Sequence, residues 1–167
     1  MQLQTEYHYS QPKQKMLTIE SVLKMDITDK NVLIIGCPAS GKTHLANLFD
    51  TPHQKFHSDD YMSHGYEQSM YVLLRDIIGC PDKTLVEGMQ GYRLLRKGVQ
   101  LDNYYPDIVF QLIISEEQMM NTYKHERDEK KIRYLRGFNK THDKILNDYF
   151  AMANPNKPEW IKVDNTH

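Results

Sequence analysis

Asn31-Val32-Leu33-Ile34-Ile35-Gly36-Cys37-Pro38-Ala39-Ser40-Gly41-Lys42-Thr43 decides the fold. An apolar run, Val32 to Ile35, feeds into Gly36-x-x-x-x-Gly41-Lys42-Thr43, which is a P-loop. In such a loop several backbone N–H groups turn inward around a phosphate, and side chains at the tight turns would block its approach. Glycine at 36 and 41 removes that obstruction. Lys42 adds a point charge for the outer phosphates, and Thr43 offers a hydroxyl to Mg²⁺. The helix that begins there turns its positive end toward the anion. His44-Leu45-Ala46-Asn47-Leu48-Phe49 continues as a helical pattern, so the strand, loop and helix that the motif requires all have their residues. Cys37, Pro38, Ala39 and Ser40 fill the loop and would wrap the phosphates of ATP.

Working outward, the chain is α/β. The strand from Asn31 to Ile35 is nearly all apolar, as a strand buried on both faces of a parallel sheet must be. Gln54 to Ser58 predicts a short second strand, Thr84 to Val86 a third ending in Glu87-Gly88, and Asp107 to Ile114 a strong fourth. Trp160 to Val163 predicts a fifth, short and at an edge. Helical spacing appears over Leu17 to Met25, Tyr66 to Ile78, Gly91 to Val99, after the capping pattern Ser115-Glu116-Glu117-Gln118, and over Thr141 to Met152. Residues 1–15 predict a loosely ordered arm, and 16–167 a single domain.

In a parallel sheet of βα units the carboxyl ends of the strands share one side, and ligands bind in the crevice there. Asp59 and Asp60 follow the second strand, and Glu87 ends the third. Two adjacent acids at such a position either act on the γ-phosphate chemistry, or cap the following helix or are merely solvated. Glu87 either holds a metal-bound water or a substrate hydroxyl, or forms a salt bridge to Arg93 or Lys42. Arg93 and Arg96 bind a planar anion or are merely solvated. Cys37 is either a thiol activated at a helix N-terminus or a small filler.

From Lys124 to Lys140 seven basic residues stand against three acidic, a local surplus of +4 in a chain of net charge −1. Such a run is a solvated helix face or a mobile lid that carries arginines onto transferring phosphates. Gly137 would be its hinge or a helix cap. The near-neutral total leaves no global field for nucleic acid or membrane. Two cysteines make neither a disulfide framework nor a zinc set, and the polar start has no apolar leader core. With no stretch near the length of a membrane span, the expected location is the cytoplasm.

From Val32 to Val163 the order of parts resembles the small P-loop kinases, a family that includes adenylate- and gluconate-kinase-like enzymes, polynucleotide 5′-kinases and zeta-toxin-like kinases. Ile35-Gly36-Cys37-Pro38-x-Ser40-Gly41-Lys42 with Asp59-Asp60-Tyr61 is similar to the polynucleotide kinases, although Met62 stands where they have arginine. Leu85-Val86-Glu87-Gly88 looks more like uridine-kinase-type enzymes. The resemblance implies a three-layer α/β/α P-loop NTPase fold, a five-stranded parallel sheet in the order 2-3-1-4-5, a lid after the fourth strand at about 124–140, and Asp59 as the general base.

Together these expectations describe an ATP- and Mg²⁺-dependent kinase that phosphorylates a hydroxyl of a nucleoside, nucleotide or polynucleotide 5′-end. Lys42 and the loop hold the phosphates, Thr43 ligates the metal, and Asp59 takes the proton. Arg127 and Arg133, or Arg136, close over the phosphates, while Asp60, Glu87 and Arg93 face the acceptor. Tyr61, Tyr66, Tyr92, Tyr104 and Tyr105 are candidates to stack a base. A kinase for a non-nucleotide small molecule, an ATPase switch, and a passive nucleotide-binding module remain open alternatives, the switch weakened by Glu87 standing where such proteins place Asp.

Overall fold

The computed structural model describes residues 15–153 and 155–166, so the arm expected over 1–15 lies outside the described residues except for its last residue. Six parallel strands form one sheet: β1 (Lys15–Thr18), β2 (Val32–Gly36), β3 (Gln54–His57), β4 (Thr84–Glu87), β5 (Ile108–Ile113) and β6 (Glu159–Asp164), in the order β1-β6-β5-β2-β4-β3. The helices are α1 (Ile19–Leu23), α2 (Lys42–Leu48), α3 (Tyr66–Ile78), α4 (Gly91–Gln100), α5 (Glu116–Thr122), α6 (Glu129–Arg136) and α7 (Phe138–Met152). A 3-10 segment, Ser58–His64, joins β3 to α3.

The alternation of β2 builds the layers. Leu33 and Ile35 enter one core with Met70, Leu73 and Ile77 of α3, Leu94 and Leu95 of α4, and Phe138, Leu146 and Phe150 of α7. Val32 and Ile34 enter the other with Val22 of α1, Leu45 and Ala46 of α2, and Phe49. Each fully buried aliphatic side chain contributes about 1.5–3 kcal/mol relative to exposure, which is why a central strand without a polar residue is affordable only between two helical layers. Among the described residues no helix is long and apolar enough to cross a membrane.

The order expected for five strands is contained in the observed one, but a sixth strand is added. Lys15–Thr18 pairs in parallel with β6, Lys15 opposite Ile161 and Thr18 opposite Asp164. The segment expected as one helix over 17–25 is therefore a strand followed by a short helix. Thr18 makes the switch: its Oγ1 accepts the Ser21 N–H at 3.1 Å and starts α1. It follows that β6 is not an edge strand, which explains why Trp160, Ile161 and Val163 are buried.

From β2 the chain crosses to β3 and β4 on one side of the sheet, then returns to β5 and β6 on the other. The carboxyl end of β2 is thus the switch point of the sheet, where the strand connections diverge and leave a crevice. Gly36, His57, Glu87 and Ile113 end their strands there.

Candidate functional site

The P-loop closes over the N-terminus of α2. Gly41 sits at φ 97°, a left-handed conformation open to glycine at no cost, and Ala39 is held at φ 63°. Gly36 is buried beside β5, and Pro38 and Ala39 form the rim. Asn165, one residue past β6, anchors the loop from outside: its side chain donates to the Ser40 carbonyl at 2.9 Å, and its backbone N–H to the Ile113 carbonyl at 2.8 Å.

Lys42 is only 8% exposed. Its ammonium donates to the Cys37 carbonyl at 2.8 Å and lies 3.4 Å from the Met89 sulfur, so it is folded back over the loop it serves. Burial holds its pKa below the usual lysine value, with Cys37, Glu87 and Asp59 pulling the other way. A phosphate in the loop would add a counter-charge at this ammonium. Burial also pushes the Cys37 thiol up. That thiol is 1% exposed, so the activated-thiol alternative gives way to the filler.

Glu87 departs from both ion pairs considered for it. It is 5% exposed, and one oxygen, Oε1, takes two partners: the Thr43 hydroxyl donates to it at 3.1 Å and His57 Nδ1 lies at 2.5 Å. His57 and Glu87 are register partners across β3 and β4, so the pleat puts both side chains on one face. Because Thr43 gives its proton to Glu87, its oxygen lone pairs are left for a cation. His57 was not singled out from the sequence. Its signal is its place as the last residue of β3, at the same sheet edge as the end of β4.

Gly88 sets the path of the chain as it leaves β4. It lies at φ 138°, and a Cβ there would come within 1.9 Å of the Ser58 hydroxyl. The buried Ser58 accepts the Gln90 N–H at 3.3 Å, tying the β4 exit to the start of the 3-10 segment. Asp59 is the next residue. It lines an open cavity of about 380 Å³ with Lys42, Thr43, His44, Glu87, Met89 and Tyr123. Neither Asp59 nor Asp60 caps a helix: α3 is preceded by Gly65, and no side-chain cap bond forms at either element. The capping alternative is therefore replaced by two exposed acids, of which Asp59 lines the cavity and Asp60 does not.

Arg93 makes no ion pair with Glu87. It lies 3.5 Å above the Tyr66 ring and donates to the Gln90 side-chain oxygen at 2.9 Å and to the Tyr66 carbonyl at 2.7 Å. With Tyr66, Met89, Gln90, Tyr92, Arg96, Tyr134, His142 and Ile145 it lines a second cavity of about 260 Å³, which meets the first at Met89. Tyr61 donates to Asp76 at 2.7 Å, and its hydroxyl pKa is pushed up to about 12 by burial and that bond. Tyr104 and Tyr105 lie elsewhere, in a cavity with Asn31 and Thr84 at the amino-terminal end of the sheet, and are corrected out of the acceptor side. The tyrosine pattern fails there because both residues precede β5 rather than come after a strand.

The basic run spans the loop after α5, then α6 and the start of α7, jointed at Gly137. Gly137 sits at φ −89°, and its N–H caps α6 on the Arg133 carbonyl at 3.2 Å. Arg127, Arg133 and Arg136 are exposed, and none lines the cavity around Lys42. Arg136 lies 3.9 Å from Glu116, and Lys131 pairs with Glu126 at 2.9 Å. Tyr123, the residue just before this run, lines the cavity at the P-loop.

For Mg²⁺ the donor set fits: a threonine hydroxyl with its proton turned away, backed by a buried carboxylate and beside the carboxylate of Asp59. Among the described residues no group of three His, Cys, Asp or Glu could hold a metal alone. Magnesium needs none, since it is bound through one or two protein ligands together with substrate phosphates and water.

The backbone is similar to that of shikimate kinase from Acinetobacter baumannii in complex with shikimate, with TM-score 0.52 and 17% identity over 86% of this chain and 86% of that one. The chain has a P-loop kinase-like fold. At that identity the likeness speaks for the fold and not for the acceptor. No protein-family model and no curated protein matches the sequence.

Proposed function

We propose that the protein is an ATP-dependent phosphotransferase that moves the γ-phosphoryl group to a hydroxyl of a nucleoside, nucleotide or polynucleotide 5′-end. The observation that carries this reading is the position of Asp59: it lines the same cavity as Lys42 and Thr43 and makes no hydrogen bond among the described residues. A carboxylate with unused lone pairs beside an anion cradle is what a general base for an alcohol requires.

The proposed roles are these. The loop N–H groups and Lys42 hold the β- and γ-phosphates, and Glu87, braced by His57, orients the Thr43 hydroxyl. Mg²⁺ held at Thr43 would supply neutralisation of phosphate charge. Asp59 takes the alcohol proton as the new O–P bond forms and the bond to the ADP oxygen breaks. Closure of the segment over 124–140 would bring Arg127, Arg133 or Arg136 onto the charge developing at the phosphoryl group, and Arg93 belongs to the acceptor cavity.

The test is transfer of radiolabelled γ-phosphate to a panel of nucleosides, nucleoside monophosphates, sugars and 5′-hydroxyl oligonucleotides, with Lys42→Ala as the blank. Asp59→Asn should lower turnover by about 10²–10⁴ while nucleotide affinity changes little. Full turnover in that variant would remove Asp59 from the mechanism. Label found only in inorganic phosphate, whatever alcohol is present, would favour the ATPase alternative.

A further inference from the structure

We propose that Met89 is a redox modification site: peroxide converts its thioether to the sulfoxide, and the added oxygen holds Lys42 back from phosphate. The proposal rests on reading the P-loop as a nucleotide site, and neither on the identity of the acceptor nor on phosphoryl transfer.

The first observation is a contact. The Met89 sulfur lies 3.4 Å from the Lys42 ammonium, the point charge of the loop. A thioether is a weak acceptor, so this contact yields readily to a phosphate. The ammonium also donates to the Cys37 carbonyl at 2.8 Å, and its burial leaves little water to replace either partner. An oxygen added to the sulfur would stand within reach of this ammonium and carry partial negative charge, and hydrogen bonds to charged groups are the strong ones. With two oxygens to bind, Lys42 would be satisfied in its folded-back position. The same oxygen would repel those of a phosphate entering the cradle.

The second observation is access. Met89 is half-buried and lines both the cavity of about 380 Å³ around Lys42 and the one of about 260 Å³ beyond it. Its sulfur has a lone pair besides the one turned to Lys42. When that pair attacks hydrogen peroxide, an S–O bond forms and the O–O bond breaks. The proton on the transferred oxygen passes to the departing hydroxide, which leaves as water. The sulfur is oxidised by two electrons and the peroxide is reduced by two. Met70 and Met119 are buried, while the exposed Met16 and Met152 line neither cavity.

The third observation is the fixed backbone on either side. Gly88 stands at φ 138°, the Gln90 N–H donates to the buried Ser58 hydroxyl at 3.3 Å, and the Gly91 N–H donates to the Gly88 carbonyl at 3.3 Å. Gly91 is pressed on β2, where a Cβ would come within 2.2 Å of Ile35. The main chain is therefore not free to carry an enlarged side chain out of the site, and the change is taken up at Lys42.

The test treats the whole protein with graded hydrogen peroxide. Peptide mass mapping reads sulfoxide at each methionine, and calorimetry reads Mg·ADP affinity. Dithiothreitol follows the peroxide, because Cys80 is a free, partly exposed thiol and its reversible products must be removed first. Affinity should fall about tenfold or more as Met89 sulfoxide accumulates, and methionine sulfoxide reductases of both stereochemical types should restore it. Met89→Leu, compared with itself before and after peroxide, should lose threefold or less. Met89→Gln, which places a permanent oxygen near Lys42, should bind Mg·ADP more weakly than Met89→Leu without any peroxide, and thermal melting checks that both variants are folded. The proposal is overturned if Met89 stays unoxidised while Met16 and Met152 are converted, if its sulfoxide leaves affinity unchanged, if dithiothreitol alone restores binding, or if Met89→Leu loses as much as the unaltered chain. Label transfer separates this proposal from the kinase reading. Transfer that persists with Met89 fully oxidised keeps the kinase and ends the switch, whereas oxidation-sensitive Mg·ADP binding without transfer to any alcohol does the reverse. A reduced protein that binds no nucleotide ends both.

Discussion

Gly88→Ala tests how the β4 exit sets the position of Asp59. Two costs add. The backbone there is at φ 138°, a region that costs other residues about 1–3 kcal/mol. The new Cβ would lie 1.9 Å from the Ser58 hydroxyl oxygen and 3.0 Å from its Cβ, and overpacking of this kind costs about a further 1–3 kcal/mol. The sum, about 2–6 kcal/mol, is a large part of the 5–15 kcal/mol that typically holds a domain folded. Urea denaturation measures it. Adding Ser58→Ala removes the closest contact but not the backbone strain, so the double variant should recover only part of the loss. Ser58 is buried and directly precedes Asp59, and its Cβ and backbone nitrogen would lie 3.0 and 3.2 Å from the new Cβ, so relief beyond a turn of the hydroxyl moves the segment that carries the carboxylate; a displacement near 1 Å costs roughly 10² in rate. Turnover should therefore fall further than ATP affinity, which depends on the P-loop across the cavity. A Gly88→Ala variant destabilised by less than about 1 kcal/mol, with turnover intact, would refute both the strain and the coupling.

Three further outcomes rest on particular contacts. Glu87→Gln should cut turnover about a hundredfold and raise the Mg²⁺ requirement, while denaturation shows a loss of stability, because the buried Lys42 ammonium loses an attracting carboxylate and His57 its charged partner. His142 has its pKa depressed from 6.5 by burial, so as pH falls through about that value the unfolded chain takes up a proton the native state refuses, and stability drops until the native pKa is reached. His142→Gln should flatten the stability profile just below about pH 6.5 by up to about 1.4 kcal/mol per pH unit; an unchanged slope would assign the acid sensitivity elsewhere. Asn165→Ala removes the bond to the Ser40 carbonyl and should cost about 1 kcal/mol, with ATP affinity falling a few-fold in equilibrium binding.

The nucleotide end was legible because its physics is local. Gly36, Gly41, Lys42 and Thr43 are contiguous in sequence, and the apolar run before them needs two covered faces wherever it occurs. The strand β1 was not legible for the opposite reason. Four residues, Lys15 to Thr18, match a strand and the start of an amphipathic helix equally well, and only pairing to β6 decides between them. The partners of Glu87 were hidden by register: a strand end can be read from its residues, but which neighbour stands opposite depends on how β3 and β4 slide, and that sets His57 rather than Arg93 beside the carboxylate.

The proposed acceptor side is harder still, for a physical reason. Its cavity takes Tyr66 from the start of α3, Met89, Gln90 and Arg93 from the β4 exit and α4, Tyr134 from α6 and His142 from α7, so no two walls share a motif. A phosphate cradle must be the same for every nucleoside triphosphate, whereas an acceptor pocket is free to vary as long as it opens toward the same carboxylate. The coupling between the two ends passes through Met89: its sulfur touches the Lys42 ammonium, and its side chain lines both cavities. If the proposed nucleotide draws Lys42 off the Cys37 carbonyl, its contact with Met89 changes, and with it the residue that the two cavities share. Ordered binding, nucleotide before acceptor, is the pattern expected of the proposed kinase on that ground, and initial-rate kinetics with both substrates varied checks it; random order would show that Met89 does not couple the cavities.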